Sequence, residues 1–317
     1  MIRLGISGCG AVAQHYYAPA LAMLRGEAEL AAAFDPDQQA CRGFAGAFGA
    51  QPAGSFDGLL SAGLDVLIVA SPPGHHSDQA CAALGAGIAV LCEKPMALTL
   101  NAGERMAEAA RSSGRPLAIG MVRRLLPQPR LIRALLGRQL LGELKSLAIF
   151  EGGPFRWPVA SQSYFDAAQG GGILEDLGIH VLDLLRWWLG EPTAVAFADD
   201  AMGGTAANCR IELEFGSVRV AARLSRDWHR PNVYRFTGDT GELEWAIHDS
   251  DELEAVIDGE AMRLVPERPT TYPEAMAEQI RALAAGRPAV TAADGLATLR
   301  LLERCRQVRQ PMAMEWL

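Results

Sequence analysis

A lysine within the stretch LCEKPM, residues 91–96, is the first candidate for chemistry in this chain. Lysines and arginines together number 29, and only Lys94 and Lys145 are lysines. A lysine ammonium is a compact donor that its surroundings can tune, whereas a guanidinium stays charged and planar. A site that needs such a point charge would keep its lysine in an arginine-rich sequence. Alternatively, position 94 is a lysine by chance, because Lys145 is also a lysine and lies at a predicted exposed strand start.

A carboxylate and an imidazole four positions apart are the second candidate. Residues 170–183 read GGGILEDLGIHVLD and include Asp176 and His180. On a regular helix these two side chains face each other, and histidine is suited to acid–base catalysis near neutral pH. The pair therefore favours a catalytic dyad over a structural histidine. A metal site is less favoured, because no third and fourth ligands are evident nearby.

The N-terminal apolar run leads into the turn Gly8-Cys9-Gly10-Ala11-Val12-Ala13. In a G-x-G-x-x-A pattern the first glycine permits a tight turn and the second lets the backbone approach a pyrophosphate. The final small residue keeps helix and strand close together, and the helix N-terminus offers N–H groups to the phosphates. This pattern predicts a dinucleotide site whose members are Gly8, Gly10, Ala11, Val12 and Ala13.

A carboxylate at Asp35 could select the cofactor. It ends the next apolar run, roughly 20 residues beyond the turn, where an acidic side chain accepts hydrogen bonds from the adenosine ribose. A turn or helix-cap residue before Pro36 is the alternative. Asp37 follows and the next cation is Arg42, so the site would repel a 2′-phosphate. The sequence favours NAD over NADP.

These residues need elements to position them, and the first 120 positions alternate short apolar runs with helix-like segments. The predicted strands are Ile2–Ser7, Leu30–Phe34, Val66–Ala70, Ile88–Leu91 and Leu117–Gly120, and the predicted helices include Asp37–Phe48, Ser77–Leu84 and Asn101–Ser112. Strands that alternate with helices predict right-handed crossovers and a parallel, doubly wound sheet. Lys94 would then lie at the carboxyl edge of that sheet, where such folds bind ligands.

The pattern changes after about Arg123. A helix is predicted over Ile173–Leu189, and strands without intervening helices follow from residue 194 to residue 257. Gly216 and Ser217 form a two-residue hairpin signal, so an open, mostly antiparallel sheet is predicted. With 317 residues, two domains are expected, at 1–122 and 123–317. We expect the exposed face of the second sheet to be apolar and to form a homodimer or homotetramer.

Charge and composition exclude several classes of partner. The net charge of −8 argues against nucleic acid, because binding to phosphate backbones needs clustered cations. No run approaches the roughly 18 apolar residues of a membrane span. The six cysteines are widely spaced, which is typical of reduced thiols in a cytoplasmic protein.

The order of these motifs resembles the glucose–fructose oxidoreductase/inositol dehydrogenase/MocA (Gfo/Idh/MocA) family of NAD(P)-dependent oxidoreductases over nearly the full length. The matching motifs are the glycine turn, an SPPxxH stretch (Ser71, Pro72, Pro73 and His76), Glu93-Lys94-Pro95 and the GGG-x-x-x-D-x-G-x-H helix. The resemblance implies a Rossmann domain followed by an α+β domain. It also implies hydride transfer at a secondary alcohol or ketone of a sugar, cyclitol or sugar derivative.

The resemblance also implies residue roles. Lys94 would hydrogen-bond the substrate oxygen, His180 would exchange its proton, and Asp176 would orient the substrate and His180. Glu93 and the SPPxxH stretch would lie along the cofactor, and Lys94 and His180 would converge beside the nicotinamide.

A loop that departs from the family pattern, with Arg123 before it, is expected to contact the substrate. Arg156 could bind a carboxylate or phosphate, and Trp157 or Tyr164 could stack on a sugar ring. A surface arginine and packing aromatics are equal alternatives for these three residues.

Two other functions stay open. An enzyme of the same fold could retain NAD and use transient oxidation for elimination or glycoside cleavage. A non-catalytic NAD-binding sensor is the third possibility, although a sensor has no need of Lys94, Asp176 and His180 together.

Overall fold

The computed structural model describes residues 1–158, 162–247 and 252–312 and divides into two compact units. The first unit comprises Met1–Leu125, Pro158–Tyr164 and Thr270–Leu299, and the second comprises Leu126–Trp157, Phe165–Pro269 and Arg300–Leu317. The sequence predicted one boundary, after residue 122. The structure differs in placing 270–299 in the first unit, because the helix Tyr272–Ala284 packs on one helix, two strands and two short helical turns of that unit.

The strands and helices of the described ranges are numbered in chain order. The strands are β1 (Ile2–Ser7), β2 (Ala28–Phe34), β3 (Gln51–Pro52), β4 (Val66–Val69), β5 (Ala89–Cys92), β6 (Leu117–Ile119), β7 (Leu144–Gly152), β8 (Ala194–Asp199), β9 (Asn208–Phe215), β10 (Val218–Ser225), β11 (Val233–Gly238), β12 (Gly241–Ala246), β13 (Leu253–Ile257), β14 (Glu260–Leu264) and β15 (Arg309–Pro311). The α-helices are α1 (Ala18–Met23), α2 (Gln38–Ala47), α3 (Phe56–Leu60), α4 (Pro73–Gly85), α5 (Leu100–Ser113), α6 (Pro127–Gly137), α7 (Ile179–Leu189), α8 (Tyr272–Ala284) and α9 (Ala292–Gln307).

The first unit is built on a six-stranded sheet in the order β3-β2-β1-β4-β5-β6. Every neighbouring pair is parallel, and all residues of β4 and β5 are buried. The strand order reverses between β1 and β4, and doubly wound sheets bind ligands at the carboxyl ends of strands beside such a reversal. The predicted parallel Rossmann sheet is confirmed.

The second unit contains a nine-stranded sheet in the order β14-β13-β12-β11-β7-β10-β9-β8-β15. The pairs β7–β10 and β8–β15 are parallel, and the remaining pairs are antiparallel. The hairpin between β9 and β10 turns at Gly216 and Ser217, as predicted. The predicted mostly antiparallel sheet is confirmed.

Helix α7 is held to the second sheet by an aromatic cluster. The ring of Trp188 makes edge contacts with Tyr234, Phe236 and Trp245, at centroid distances of 6.0, 5.5 and 6.5 Å. Its indole N–H donates to the carbonyl oxygen of Pro129 in α6 at 3.0 Å. Edge-on aromatic pairs add to the stability given by area burial alone, so these contacts fix the helix that carries His180 on the sheet.

The exposed face of this sheet carries many charged side chains. Arg210, Glu212 and Glu214 alternate with buried residues along β9, and Arg235 of β11 pairs with Glu244 of β12 at 2.6 Å. Side chains of a strand alternate between its two faces, and the apolar residues Ala148, Ala221 and Val256 are exposed on the same face as these charges. The exposed face therefore mixes charged and apolar residues, and its predicted use in self-association stays a prediction.

The sequence missed only short elements of the described ranges. Strand β3 has two residues, and α3 has five residues behind an N-cap at Ser55. Such lengths are too short for a periodic signal, and the same is true of β15, with three. Strand β14 was also missed, because the predicted alternating pattern ended at residue 257, before this strand begins.

The cysteines agree with a simpler prediction. All six are free thiols, and five of them are buried, as expected of reduced thiols. No helix among the described residues has the length and apolarity to cross a membrane.

Candidate active site

Gly8 brings the first turn into contact with the neighbouring strand. Its φ is +96°, and a Cβ added there would lie 2.5 Å from the backbone carbonyl of Ala70. Gly10 is different, since a Cβ added there would meet nothing within 4 Å. Packing within the protein therefore requires Gly8, whereas the open side of Gly10 suits the close approach of a pyrophosphate. The turn fits a dinucleotide.

The helix after this turn is irregular. Residues 13–17 form a π turn, in which the N–H of Ala18 bonds to the carbonyl of Ala13. Pro19 has no N–H to donate to the carbonyl of residue 15, which accounts for the shift in the ladder. Single π turns are frequent at functional sites. Here the turn contains Tyr16 and Tyr17, which both enter the site.

Asp35 fixes the glycine turn through its carboxylate. Its Oδ2 accepts the backbone N–H of Cys9 at 2.8 Å, and its Oδ1 accepts that of Asp37 at 2.9 Å. The cap of α2 is Asp37, which accepts from Gln39 and Ala40. Asp35 is therefore at the turn, half-buried, with oxygen lone pairs that a ribose hydroxyl could use.

A buried imidazole joins two of the predicted cofactor loops. His76 is 1% exposed, and its Nδ1 lies 2.9 Å from the carbonyl oxygen of Pro95 while its Nε2 lies 2.8 Å from that of Ser71. Burial lowers the pKa of His76, although both carbonyls oppose that effect. Its part in cofactor binding would be indirect, by holding the Ser71–Pro73 loop to the loop of Lys94.

Ser71 is itself anchored inside the first unit. Its hydroxyl donates to Oε1 of Gln79 at 2.8 Å, and the hydroxyl of Ser7, at the end of β1, donates to the same atom at 3.1 Å. Pro72 and Pro73 continue from it into α4. The loop therefore lies at the carboxyl edge of the sheet, on the same side as the glycine turn.

Glu93 and Lys94 follow β5 at that edge. The Oε1 of Glu93 accepts the hydroxyl of Tyr17 at 2.7 Å, and its Oε2 accepts the backbone N–H of Lys94 at 3.2 Å. Burial raises the pKa of Glu93, against the opposing effects of Tyr17 and Lys94. The peptide between Lys94 and Pro95 is cis. The phenol of Tyr17 thus holds the Glu93 carboxylate, which in turn accepts the backbone N–H of Lys94 and fixes the position of the lysine's backbone.

Aromatic side chains that the sequence did not single out lie in the same unit. Tyr16 and Tyr272 are in ring contact, with centroids 5.7 Å apart. Burial raises the pKa of Tyr16, while the charges of Lys94 and Arg123 oppose that effect. Tyr16 therefore lies within electrostatic range of both cations, and Tyr164 acts on it as well. Arg123 itself is 5% exposed.

Asp176 and His180 lie on one helical segment of the second unit. A π turn at Leu174–Gly178 precedes α7, so the assumption of a regular helix fails over the first half of the interval. Both side chains are half-buried. The Oδ2 of Asp176 accepts from Nη2 of Arg226 at 3.0 Å, a partner that sequence reasoning missed.

The predicted substrate loop is divided between the units. Arg156 is exposed and Trp157 is half-buried in the second unit, and Tyr164 is half-buried in the first. Residues 159–161 of this loop lie outside the described residues. Phe155, next to Arg156, contacts Phe165 at a centroid distance of 5.3 Å, so the start of the loop is packed rather than free in solvent.

The structure thus collects the predicted residues in two groups. The first unit holds Gly8, Gly10, Ala11, Val12, Ala13, Asp35, Ser71, Pro72, Pro73, His76, Glu93, Lys94, Arg123 and Tyr164, and the second holds Arg156, Trp157, Asp176 and His180. The predicted convergence of Lys94 and His180 stays a prediction.

A doubly wound sheet, a glycine turn with an open side and a carboxylate after the second strand define a dinucleotide-binding unit. Residues 2–121 match the family model described as an oxidoreductase family with an NAD-binding Rossmann fold. Residues 130–244 match the Gfo/Idh/MocA C-terminal domain. The chain belongs to the Gfo/Idh/MocA family of oxidoreductases.

Several known proteins are similar to the chain. The rhizopine catabolism protein MocA of Rhizobium meliloti is 32% identical over 60% of this chain and 58% of its own. Glucose-6-phosphate 3-dehydrogenase of Bacillus subtilis is 32% identical over 60% of this chain and 54% of its own. The matches therefore span little more than half the length of these relatives.

A solved structure extends the likeness of fold to the whole chain. It is KijD10, a 3-ketoreductase from Actinomadura kijaniata in complex with NADP and TDP-benzene. The two chains are 23% identical, with a TM-score of 0.85 over 99% of each. At this identity the similarity shows the shared fold.

Proposed function

We propose that this protein is an NAD-dependent oxidoreductase that acts on a secondary alcohol or ketone of a sugar, cyclitol or sugar derivative. The observation that carries the proposal is the position of Lys94, which follows β5 at the ligand-binding edge of a sheet whose glycine turn has an open side at Gly10. Membership in an oxidoreductase family supports it, as does the sugar named for the Bacillus subtilis relative.

Two side chains would act on the substrate oxygen, and a third would orient one of them. The ammonium of Lys94 donates a hydrogen bond to this oxygen and stabilises its alkoxide character as the C–H bond breaks. His180 takes the hydroxyl proton during oxidation and returns it during reduction, and Asp176 orients His180. A bound nicotinamide supplies the hydride acceptor or donor.

The remaining predicted contacts would set specificity. Arg123 and Arg156 are suited to an anionic group of the substrate, because guanidinium groups bind carboxylates and phosphates through two parallel hydrogen bonds. Trp157 and Tyr164 would offer ring faces to the sugar. Tyr16 lies within electrostatic range of Lys94, and with Tyr272, whose ring it contacts, it would extend that aromatic surface in the first unit.

A dehydrogenase screen tests the proposal. Sugars, cyclitols and their acids are supplied with NAD, and NADH formation is followed by absorbance. Net NADH formation with a free polyol supports a dehydrogenase. Substrate turnover without net redox change would instead indicate an enzyme that retains NAD for elimination or glycoside cleavage. NADH binding with no turnover of any compound would favour a sensor.

NAD is proposed over NADP because of Asp35, although the KijD10 structure contains NADP. The carboxylate stands beside the turn, and a 2′-phosphate would be repelled by it. We expect tighter binding of NADH than of NADPH, and an Asp35→Ala variant should narrow the ratio of their dissociation constants about tenfold. Fluorescence titration measures both constants. An unchanged ratio would remove Asp35 from cofactor selection.

Self-association is proposed through the exposed face of the second sheet, on which charged and apolar side chains are mixed. Arginine and glutamate side chains are interspersed on it, so a second copy turned by a two-fold axis can oppose unlike charges. Light scattering at micromolar concentration should give the mass of a dimer or tetramer. Because exposed ion pairs are screened, about 1 M salt should weaken the assembly. A monomer at low salt contradicts this expectation.

A cytoplasmic location stays a prediction, based on the free cysteines.

A further inference from the structure

Arg226 is a buried cation of the second unit that the proposed reaction does not yet use. It follows β10 and is 9% exposed. Its Nη2 donates to Oδ2 of Asp176 at 3.0 Å and to the carbonyl oxygen of Gly172 at 3.1 Å. Charge-assisted hydrogen bonds are among the stronger contacts a side chain makes. This guanidinium therefore binds both the backbone of Gly172, before the π turn, and the carboxylate of Asp176, within it.

The same side chain also contacts the loop proposed to bind substrate. The guanidinium carbon lies 5.0 Å from the ring centre of Phe155, within the range of a cation–π interaction. The backbone N–H of Phe155 donates to the carbonyl oxygen of Arg226 at 2.8 Å. Since Arg156 and Trp157 follow directly, Arg226 connects the start of this loop to the segment of Asp176.

The backbone of Arg226 is itself held rigidly. Its N–H donates to the carbonyl oxygen of Ala207 at 2.9 Å. On one side the hydroxyl of Ser225 donates to Asp227 at 2.9 Å, and the side-chain amide of Asn208 donates to the other oxygen of Asp227 at 3.1 Å. A side chain mounted on such a fixed support can define the geometry of the groups it contacts.

We propose that Arg226 is a positioning residue for the reaction, which holds the carboxylate of Asp176 in the orientation that His180 needs and ties this helix to the Phe155 loop. The inference rests on the proposed function, because it acts through Asp176 and His180. Without Arg226 the carboxylate can rotate about its side-chain bonds, and misplacement of a catalytic group by about 1 Å can cost about 100-fold in rate.

Steady-state kinetics of Arg226→Gln, with NAD and the best substrate of the screen, test the proposal. We expect kcat to fall about 10- to 100-fold, while the KM for NAD changes less than about twofold, because the first unit binds the cofactor. Arg226→Lys keeps the charge and should restore part of kcat. If Arg226→Gln does not fold, the lysine variant decides, with an expected loss of about tenfold.

The neighbouring residue of the same π turn offers a matched control. Glu175 accepts from Arg306 at 3.0 Å, so Arg306→Gln removes a comparable ion pair without touching Asp176. We expect its kcat to stay within about twofold of the wild type, since exposed or half-exposed pairs contribute little. Equal losses of kcat in Arg306→Gln and Arg226→Gln would reduce both to structural roles and overturn the proposal.

A double-mutant cycle separates positioning from folding. In an Asp176→Asn background, the further loss from Arg226→Gln should shrink to less than about threefold, because residues that act as a unit are not additive. Additive losses overturn the role through Asp176. A wild type that is active, with Arg226→Gln at full kcat, rejects Arg226 alone, whereas a wild type that converts none of the screened compounds rejects the proposed function as well.

Discussion

Replacing Lys94 with arginine should lower kcat by about 100-fold or more while the dissociation constant of NADH changes less than about threefold. Arginine keeps the positive charge, so a purely electrostatic role would survive the exchange. It replaces a compact ammonium by a planar guanidinium that is longer and branched, and this cannot place one donor at the substrate oxygen without displacing it. NADH formation measures the first quantity and fluorescence titration the second.

The chain supplies its own control for this experiment. Lys145 is the other lysine, and it is 47% exposed at the start of β7, where it pairs with Glu143 at 2.6 Å. Lys145→Arg should leave kcat unchanged, because a surface pair of this kind contributes little and tolerates a guanidinium. Normal turnover by both Lys94→Arg and Lys145→Arg would show that the reaction does not need a lysine at position 94.

The two glycines of the first turn should give opposite results when each is changed to alanine. Gly8→Ala forces a Cβ to within 2.5 Å of backbone atoms at a φ of +96°, and we expect it to lower the free energy of unfolding by about 3 to 5 kcal/mol. Gly10→Ala meets no protein atom. It should leave stability unchanged and weaken NADH binding about tenfold, because the methyl group enters the space left for the pyrophosphate.

Thermal and chemical unfolding followed by circular dichroism measure the first effect, and NADH titration measures the second. Each variant is the control for the other, since they differ by two positions in one turn. Full NADH affinity in Gly10→Ala would mean that the open side does not receive the cofactor. Native stability in Gly8→Ala would show that the backbone of Ala70 moves away easily.

The first unit was the more predictable part, because its elements are marked by residues close together in the sequence. Strand β1 begins and ends at the predicted residues, Ile2 and Ser7, and its glycine turn follows at once. Short buried strands bounded by turn residues leave a direct record in the sequence. Asp35 was selected from spacing alone, and the structure places its carboxylate at the glycine turn. Its contact with a ribose stays a prediction.

The sequence did not predict the two π turns, because the prediction assumed a constant helical period. Pro19 was a usable signal for the first, since a proline inside a helix removes the bond to the residue four before it. No comparable residue marks the second turn, Leu174–Gly178. The facing of Asp176 and His180 was thus inferred from a geometry that applies to only half of the interval.

Arg226 and Tyr272 could not have been found from spacing. Arg226 lies 50 positions from Asp176 in the sequence, and Tyr272 lies on a late helix that the first unit takes up. Both meet their partners only because of how strands and helices pack over long separations. The charges on the exposed face of the second sheet could have been predicted from the alternation of β9, where Arg and Glu occupy every second position.

The imidazole of His76 spans two carbonyl groups, one in the loop of Ser71 and one at Pro95. A single interior side chain consequently holds these two segments together, so a change in the path of either one would break one of its two contacts. An engineer who wished to alter the proposed substrate preference would leave this edge intact and vary Arg156, Trp157 or Tyr272 instead.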